Sequence, residues 1–370
     1  MKARLGDVCT VVSGSTPKST VPEYWDGDIK WITPAELSSD TYIINDSARH
    51  ITALGVAKTG LKSFPAGTVI LSSRAPIGKT AIAGCEMFCN QGFKNLICSE
   101  KIDSKYLYYF LSGKTDYLNS LGRGATFKEI SKAIVENIEI PLPEVEEQKR
   151  IAARFERLLR LIQLQKAELE ELDKLVKSRF IELFGDPLIE DDRYPRVPLG
   201  SLAEVGSSKR IFEKEYVSEG IPFYRTKEIV ELSNGNRITT ELFITKERYD
   251  EIRSEYGVPQ KGDLLISAVG TIGVIWIVDG KNDFYFKDGN LLRVSATEKF
   301  VPEYLKHLLE ALISAYKSEM SSGTAYAALT ISALKEMMVY DVPHAEQEQF
   351  AAFVEQTDKS KLCGKMEVAA

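Results

Sequence analysis

Gly67-Thr68-Val69-Ile70-Leu71-Ser72 is a glycine followed by a β-branched, apolar run, the profile of a buried strand entered through a turn. The chain repeats it 195 residues later as Gly262-Asp263-Leu264-Leu265-Ile266-Ser267. The echo extends outward. Leu5, Gly6 is matched by Leu199, Gly200; Ile77, Gly78 by Ile272, Gly273; and Asn95, Leu96 by Asn290, Leu291. Both copies close alike, with Ile130, Ser131, Leu142, Pro143, Glu147, Gln148 and then Ile331, Ser332, Val342, Pro343, Glu346, Gln347. Each copy mixes short strands, such as Ile29–Thr33 and Ile221–Arg225, with two amphipathic helical stretches, so the fold class is α+β with small irregular β-sheets.

Between the copies the period changes. Ile151, Phe155, Leu158, Ile162, Gln165, Leu169, Leu172, Val176, Phe180 and Leu183 step by four and three, the apolar seam of a coiled coil, with one extra four at Val176–Phe180. A helix over Glu144–Phe184 would run about 60 Å at 1.5 Å per residue. Gly185, Asp186, Pro187 stops it. The chain therefore divides into residues 1–143, a spacer at 144–186, residues 187–343 and a tail at 344–370.

Composition sets bounds. At 370 residues, 44% hydrophobic and 27% charged, the chain is ordinary globular material. No apolar run approaches the roughly eighteen residues of a membrane span, and the N-terminus lacks a signal-peptide core, so the expected compartment is the cytoplasm. Five scattered cysteines fit reduced thiols there. Net charge is −6, but residues 1–143 carry 16 basic and 14 acidic side chains, a net of +2. A nucleic-acid partner must then be met by a local basic face.

Catalytic motifs fail on inspection. The run Ser73, Arg74, Ala75, Pro76, Ile77, Gly78, Lys79, Thr80 ends like a phosphate loop, yet Ser73 stands where a glycine belongs and Pro76 removes a donor, so it reads as a turn between strands. Three histidines and one close cysteine pair, Cys85 and Cys89, make no metal or His-based set. What remains is polar and basic residues on turns: Ser15, Thr16, Lys18, Arg74, Lys79, Gln91 and Lys94 in the first copy, and Lys209, Arg210, Arg225, Lys227, Thr271 and Lys287 in the second. These side chains are the chemistry of base-edge and phosphate contacts. Agreement between copies (Gly78 with Gly273, Asn95 with Asn290) reads as fold, and difference reads as two recognition surfaces.

The opening Leu5, Gly6, Asp7, Ser13, Gly14, Ser15, Thr16, Pro17, Tyr24, Trp25, Gly27, Ile29, Trp31 and the closing Gly124, Ala125, Thr126, Ile130, Leu142, Pro143, Glu147, Gln148 resemble a target recognition domain. Repeated about a long helix, they are similar to the specificity (S) subunits of type I restriction-modification systems. That resemblance implies two target recognition domains, each reading one half of a bipartite double-stranded DNA site. It implies two long helices paired antiparallel as a spacer that docks methyltransferase (M) subunits, with restriction (R) subunits joining them. The chain itself would be non-catalytic and without cofactor. S-adenosylmethionine, ATP and Mg²⁺ would belong to partners in a site-specific deoxyribonuclease and DNA adenine methyltransferase. The second helix is expected to be short, with apolar contacts at Phe350, Phe353, Val354 and Leu362 and an interruption at Gly364, so that the spacer is half unsupported or another chain completes it. The rival readings are a stand-alone enzyme and a coiled-coil adaptor whose repeats bind protein.

Overall fold

The computed structural model describes residues 2–38, 41–74, 76–124, 128–189, 193–295, 299–320 and 328–369, the side chains of 320 and 362–369 excepted. The chain divides into two compact units, Met1–Gln163 and Leu164–Ala370, and the division falls inside one helix, Val145–Phe184.

Both units are α+β and follow one plan. In the first, a five-stranded sheet runs in the order Cys9–Val12, Asn95–Cys98, Val69–Leu71, Thr80–Ala83, Ile43–Ile44. A three-stranded sheet orders Arg49–Ile51, Trp25–Ile32, Phe88–Cys89, and Lys2–Arg4 pairs with Glu139–Pro141. In the second, the larger sheet is Glu204–Gly206, Leu291–Ser295, Leu264–Ser267, Ile275–Ile277. The smaller is Phe243–Ile244, Ile221–Tyr224, Tyr285–Phe286, and Arg196–Pro198 pairs with Met338–Tyr340.

The repeated apolar run is unbroken because both of its faces are covered. Val69 and Leu71 pack with Leu107 and Leu111, while Ile70, pointing the other way, packs with Phe64 and Phe93. Leu264 and Ile266 likewise join one cluster and Leu265 another. The serine ending each run secures the following turn. Ser72 Oγ donates to the Pro76 carbonyl at 2.7 Å and accepts from the Lys79 amide at 2.9 Å. Ser267 does the same with Thr271 and Val274. Gly78 and Gly273 sit at φ +94° and +87° in these turns, a left-handed backbone that favours glycine. The phosphate-loop resemblance is thus a serine-fastened turn.

Two matches read from sequence shift once strands are paired. Val69 lies opposite Leu96, and Leu264 opposite Val294, so the counterpart of Leu96 is Val294 and that of Asn95 is Arg293, not Asn290. Asn95 is buried and donates to Cys89 Sγ, whereas Asn290 is exposed. At the close, the Ile130 amide donates to Ser73 and the Leu329 amide to Ala268, which makes Leu329, Thr330 the counterpart of Ile130, Ser131. Ser131 and Thr330 then cap equivalent helices, Lys132–Glu136 and Ile331–Glu336.

The same chemistry anchors the first turn of the long helix and of the C-terminal one. Gln148, fully buried, accepts from the Asp103 amide at 2.8 Å and donates to the carbonyls of Lys101 (3.0 Å) and Pro143 (2.8 Å). Gln347 at the start of the C-terminal helix, His344–Ala369, accepts from Val301 and donates to Lys299 and Val342 in the same way. Further along, Phe155 stacks on Tyr109, and Glu156 accepts from Tyr42 and Lys105. In the second unit Phe180 and Phe184 enclose Tyr304 and Phe350. Phe350 against Phe180 and Lys361 against Asp173 at 2.7 Å set the two helices antiparallel. The seam is covered unevenly: Val176 and Phe180 are buried, Ile162 to Leu172 half-buried, and Leu158 56% exposed. The C-terminal helix is 26 residues against 40 and runs through Gly364 without a break, contrary to the expected interruption. The side chain of Leu362 lies outside the described residues.

Candidate nucleic-acid interface

In the first unit, loop Ser13–Lys18 is fastened from below by two tryptophans. Trp31 Nε1 donates to the Ser15 carbonyl at 3.0 Å and Trp25 Nε1 to the Lys18 carbonyl at 3.2 Å. Both rings are buried and meet edge to face, so they serve the core and shape the loop together. Gly14 lies flat on the next strand, where an added Cβ would stand 1.9 Å from the Cys89 carbonyl oxygen. The Ser15 amide donates to that same carbonyl. Thr16 Oγ1 donates to Gln91 Oε1, joining the loop to the turn before Asn95–Cys98. That turn meets the next loop through Ser73, whose amide donates to Gly92, and Ser73 in turn accepts from Ile130. Four loops thus adjoin: 13–18, 89–92, 73–74 and 128–130.

The second unit assembles the same four. Ser207 Oγ donates to the Leu291 carbonyl and accepts from Gly289, and the Lys209 amide donates to Tyr285 Oη at 2.6 Å. The Ala268 amide donates to Asn290, and Leu329 donates to Ala268. Lys209 Nζ sits 4.7 Å above the half-exposed Tyr256 ring, a cation–π contact.

Ser15, Thr16, Lys18, Arg74 and Gln91 come together on the first cluster, and Lys209, Arg210 and Lys287 on the second; Thr271 is exposed in the turn that follows Ala268. Several of the cations have carboxylate partners. Arg74 Nε donates to Glu129 Oε2 at 2.9 Å, while the buried Lys94 reaches Glu129 Oε1 at 3.1 Å and Ser73 Oγ at 3.3 Å. Burial raises the Glu129 carboxyl, but the Lys94 and Arg74 hydrogen bonds outweigh it and hold the group below its ordinary value. Arg210 Nε donates to Asp288 Oδ2 at 2.8 Å, and Lys287 Nζ lies 3.6 Å from Asp288 Oδ1. The Asp288 hydrogen bond raises the Arg210 guanidinium further.

Three candidates stand apart from the loop faces. Lys79 turns its ammonium to the Leu37 carbonyl and is half-buried. Arg225 is spent on the buried Glu228, with Nε and Nη2 both engaged, at the start of helix Thr226–Ser233. Lys227 is exposed on that helix's first turn and makes no ion pair among the described residues. Sequence reading passed over Glu129 and Asp288, and the exposed Arg123 and Lys128 beside the first cluster. A signal was present, a charged pair on either side of Gly124, Ala125, Thr126; Ala125 and Thr126 themselves lie outside the described residues.

Among the described residues no group of His, Cys, Asp or Glu is placed to hold a metal, and no helix is long and apolar enough to cross a membrane. Cys9 and Cys89 are buried, and burial pushes the Cys89 thiol up to about 12.

The α+β unit thus occurs twice, each copy presenting four adjoining loops. The family model for the type I restriction modification DNA specificity domain matches residues 1–174 and 193–364. The chain belongs to that family. A type I restriction enzyme MjaIX specificity subunit from Methanocaldococcus jannaschii is 37% identical over 247 residues, 61% of this chain and 57% of that one. A putative type I specificity subunit from Haemophilus influenzae is 28% identical over 262 residues, 69% of this chain and 64% of its own. The matched stretches therefore span less than two thirds of these relatives. A chain solved in work on complex assembly and conformational transition of the type I R-M system shares the fold at TM-score 0.64 and 20% identity, covering 100% of this chain and 92% of the other. The S subunit from M. genitalium does so at 0.56 and 17%, with the same coverage.

Proposed function

We propose that the chain is a non-catalytic reader of double-stranded DNA, each unit presenting its four-loop face to one half of a bipartite site. One observation carries this: the same loop assembly occurs twice, the backbone bonds of Ser73 to Gly92 and Ile130 to Ser73 repeated as Ala268 to Asn290 and Leu329 to Ala268, while the outward side chains change. Identical scaffolds with unlike faces suit two different short sequences. Ser15, Thr16, Lys18, Arg74 and Gln91 form the first reading set, and Lys209, Arg210, Thr271 and Lys287 the second. Lys94 acts from beneath through Glu129, and Lys79 and Arg225 brace the turns. Lys227 adds a phosphate contact at the edge.

In this reading the helices Val145–Phe184 and His344–Ala369 set the gap between half-sites and dock methyltransferase subunits, with restriction subunits joining the complex in the cytoplasm. S-adenosylmethionine, ATP and Mg²⁺ belong to those partners. The adaptor reading gives no reason for loops of basic and amide side chains differing at matched positions.

The test is a domain exchange. Residues 1–143 are replaced by the corresponding stretch of the M. jannaschii relative, and bound sequences are selected from random duplex DNA by the chain assembled with its methyltransferase. One half of the motif changes and the other stays. A motif changed in both halves or in neither overturns the reading.

A further inference from the structure

In both units an arginine is held by a carboxylate through Nε alone. Arg74 donates from Nε to Glu129 at 2.9 Å, and Arg210 from Nε to Asp288 at 2.8 Å. The terminal nitrogens of these guanidiniums make no hydrogen bond among the described residues, and the side chains are 45% and 67% exposed. Arg225 is different, since Glu228 takes Nε and Nη2 together. On the other side of each carboxylate lies a lysine, Lys94 hydrogen-bonded to Glu129 at 3.1 Å and Lys287 ion-paired with Asp288 at 3.6 Å without a hydrogen bond.

These triads do not occupy matched positions. Thr16, bonded to Gln91, and Arg210, bonded to Asp288, are counterparts, each four residues past Val12 and Gly206, which pair with the matched Asn95 and Arg293. Arg74 bridges Glu129 where Val269 bridges Ala328. The first unit therefore has a neutral pair at the first position and a charged one at the second. The second unit has a charged pair at the first position and an apolar one at the second. The same construction at two different points of one scaffold is not inherited from the duplication, so it calls for a reason in function.

A carboxylate on a DNA-facing surface weakens attraction to phosphate, which disfavours a purely electrostatic role. Gripping a guanidinium by Nε fixes its plane and aims the Nη1/Nη2 edge outward, the fork that meets O6 and N7 of guanine. We infer that Arg74 and Arg210 each read a guanine in the major groove, one per half-site and at different offsets within it, with Glu129 and Asp288 as the positioning residues. This rests on the DNA-reading assignment above.

The experiment is base-resolved selection from random-sequence duplex DNA by the full chain with its methyltransferase, for wild type, R74A, R74K, E129Q, R210A, R210K and D288N, with the salt dependence of binding measured for each. Wild type is expected to prefer guanine at one position in each half. R74A and R74K lose that preference about tenfold or more in one half only, and R210A and R210K in the other. R74K and R210K retain charge without the fork, so their loss of preference separates reading from folding. E129Q and D288N bind non-cognate duplex more tightly and discriminate less at the same single position.

If R74A and R210A weaken all sequences equally and lower the salt slope by about 1, these arginines contact phosphate and the inference is overturned while DNA reading stands. Unchanged base preferences in every variant overturn it likewise. Wild type that enriches no motif overturns both.

Discussion

Gln148 and Gln347 join each α+β unit to the helix that follows it. Each amide meets one backbone N–H and two carbonyls from which water is excluded. Truncation strands those groups, and an unsatisfied buried polar group costs about 1–3 kcal/mol. Gln148→Ala and Gln347→Ala are each expected to lower stability by that amount in urea unfolding, and the double variant by their sum, since they share no partner. A loss below about 0.5 kcal/mol would show that water replaces the amide. The sequence displayed these glutamines as repeated letters, but two of the three partners of each, Asp103 and Lys101 or Val301 and Lys299, lie more than 40 residues earlier, so only the folded chain reveals the bonds. Asn95 teaches the reverse lesson: its repeated spacing pointed to Asn290, and the strand pairing assigned Arg293 instead. Glu129 and Asp288 were illegible for a related reason, because the triads use unmatched positions and comparing the copies cannot find them.

The long helix was legible almost to the residue, Glu144–Phe184 expected and Val145–Phe184 observed, because the four-three spacing is a local property of the chain. How much of the seam is covered was not local, since it depends on where the C-terminal helix lies. Phe180 is 4% exposed and packs on Phe184, Tyr304 and Phe350 at 5.0–5.6 Å between ring centroids. Phe180→Ala should destabilise the second unit by about 3–5 kcal/mol. Leu158, more than half exposed, lies on the same helix. Leu158→Ser should change the stability of the chain alone by no more than about 0.5 kcal/mol. Equal losses in calorimetry would mean that Leu158 is covered in solution. The strands were legible for their unbroken apolar runs, and their register was not. Extra residues ahead of Leu291 move the match of Asn95 three positions, from Asn290 to Arg293, which letter spacing does not show.

In the proposed function two readers are joined by one continuous helix, Val145–Phe184, so the length of that helix should be written in the DNA. A duplicated heptad, Leu158–Leu164, repeated once before the stretch paired with the C-terminal helix, adds about 10 Å and keeps rotation to about 20°. That rise corresponds to about three base pairs of duplex. The decisive measurement is the motif selected from random duplex DNA by this lengthened chain and by the unaltered one, each assembled with its methyltransferase. The account predicts two unchanged half-sites with a gap wider by about three base pairs. An unaltered gap, or half-sites whose sequences change, would contradict it.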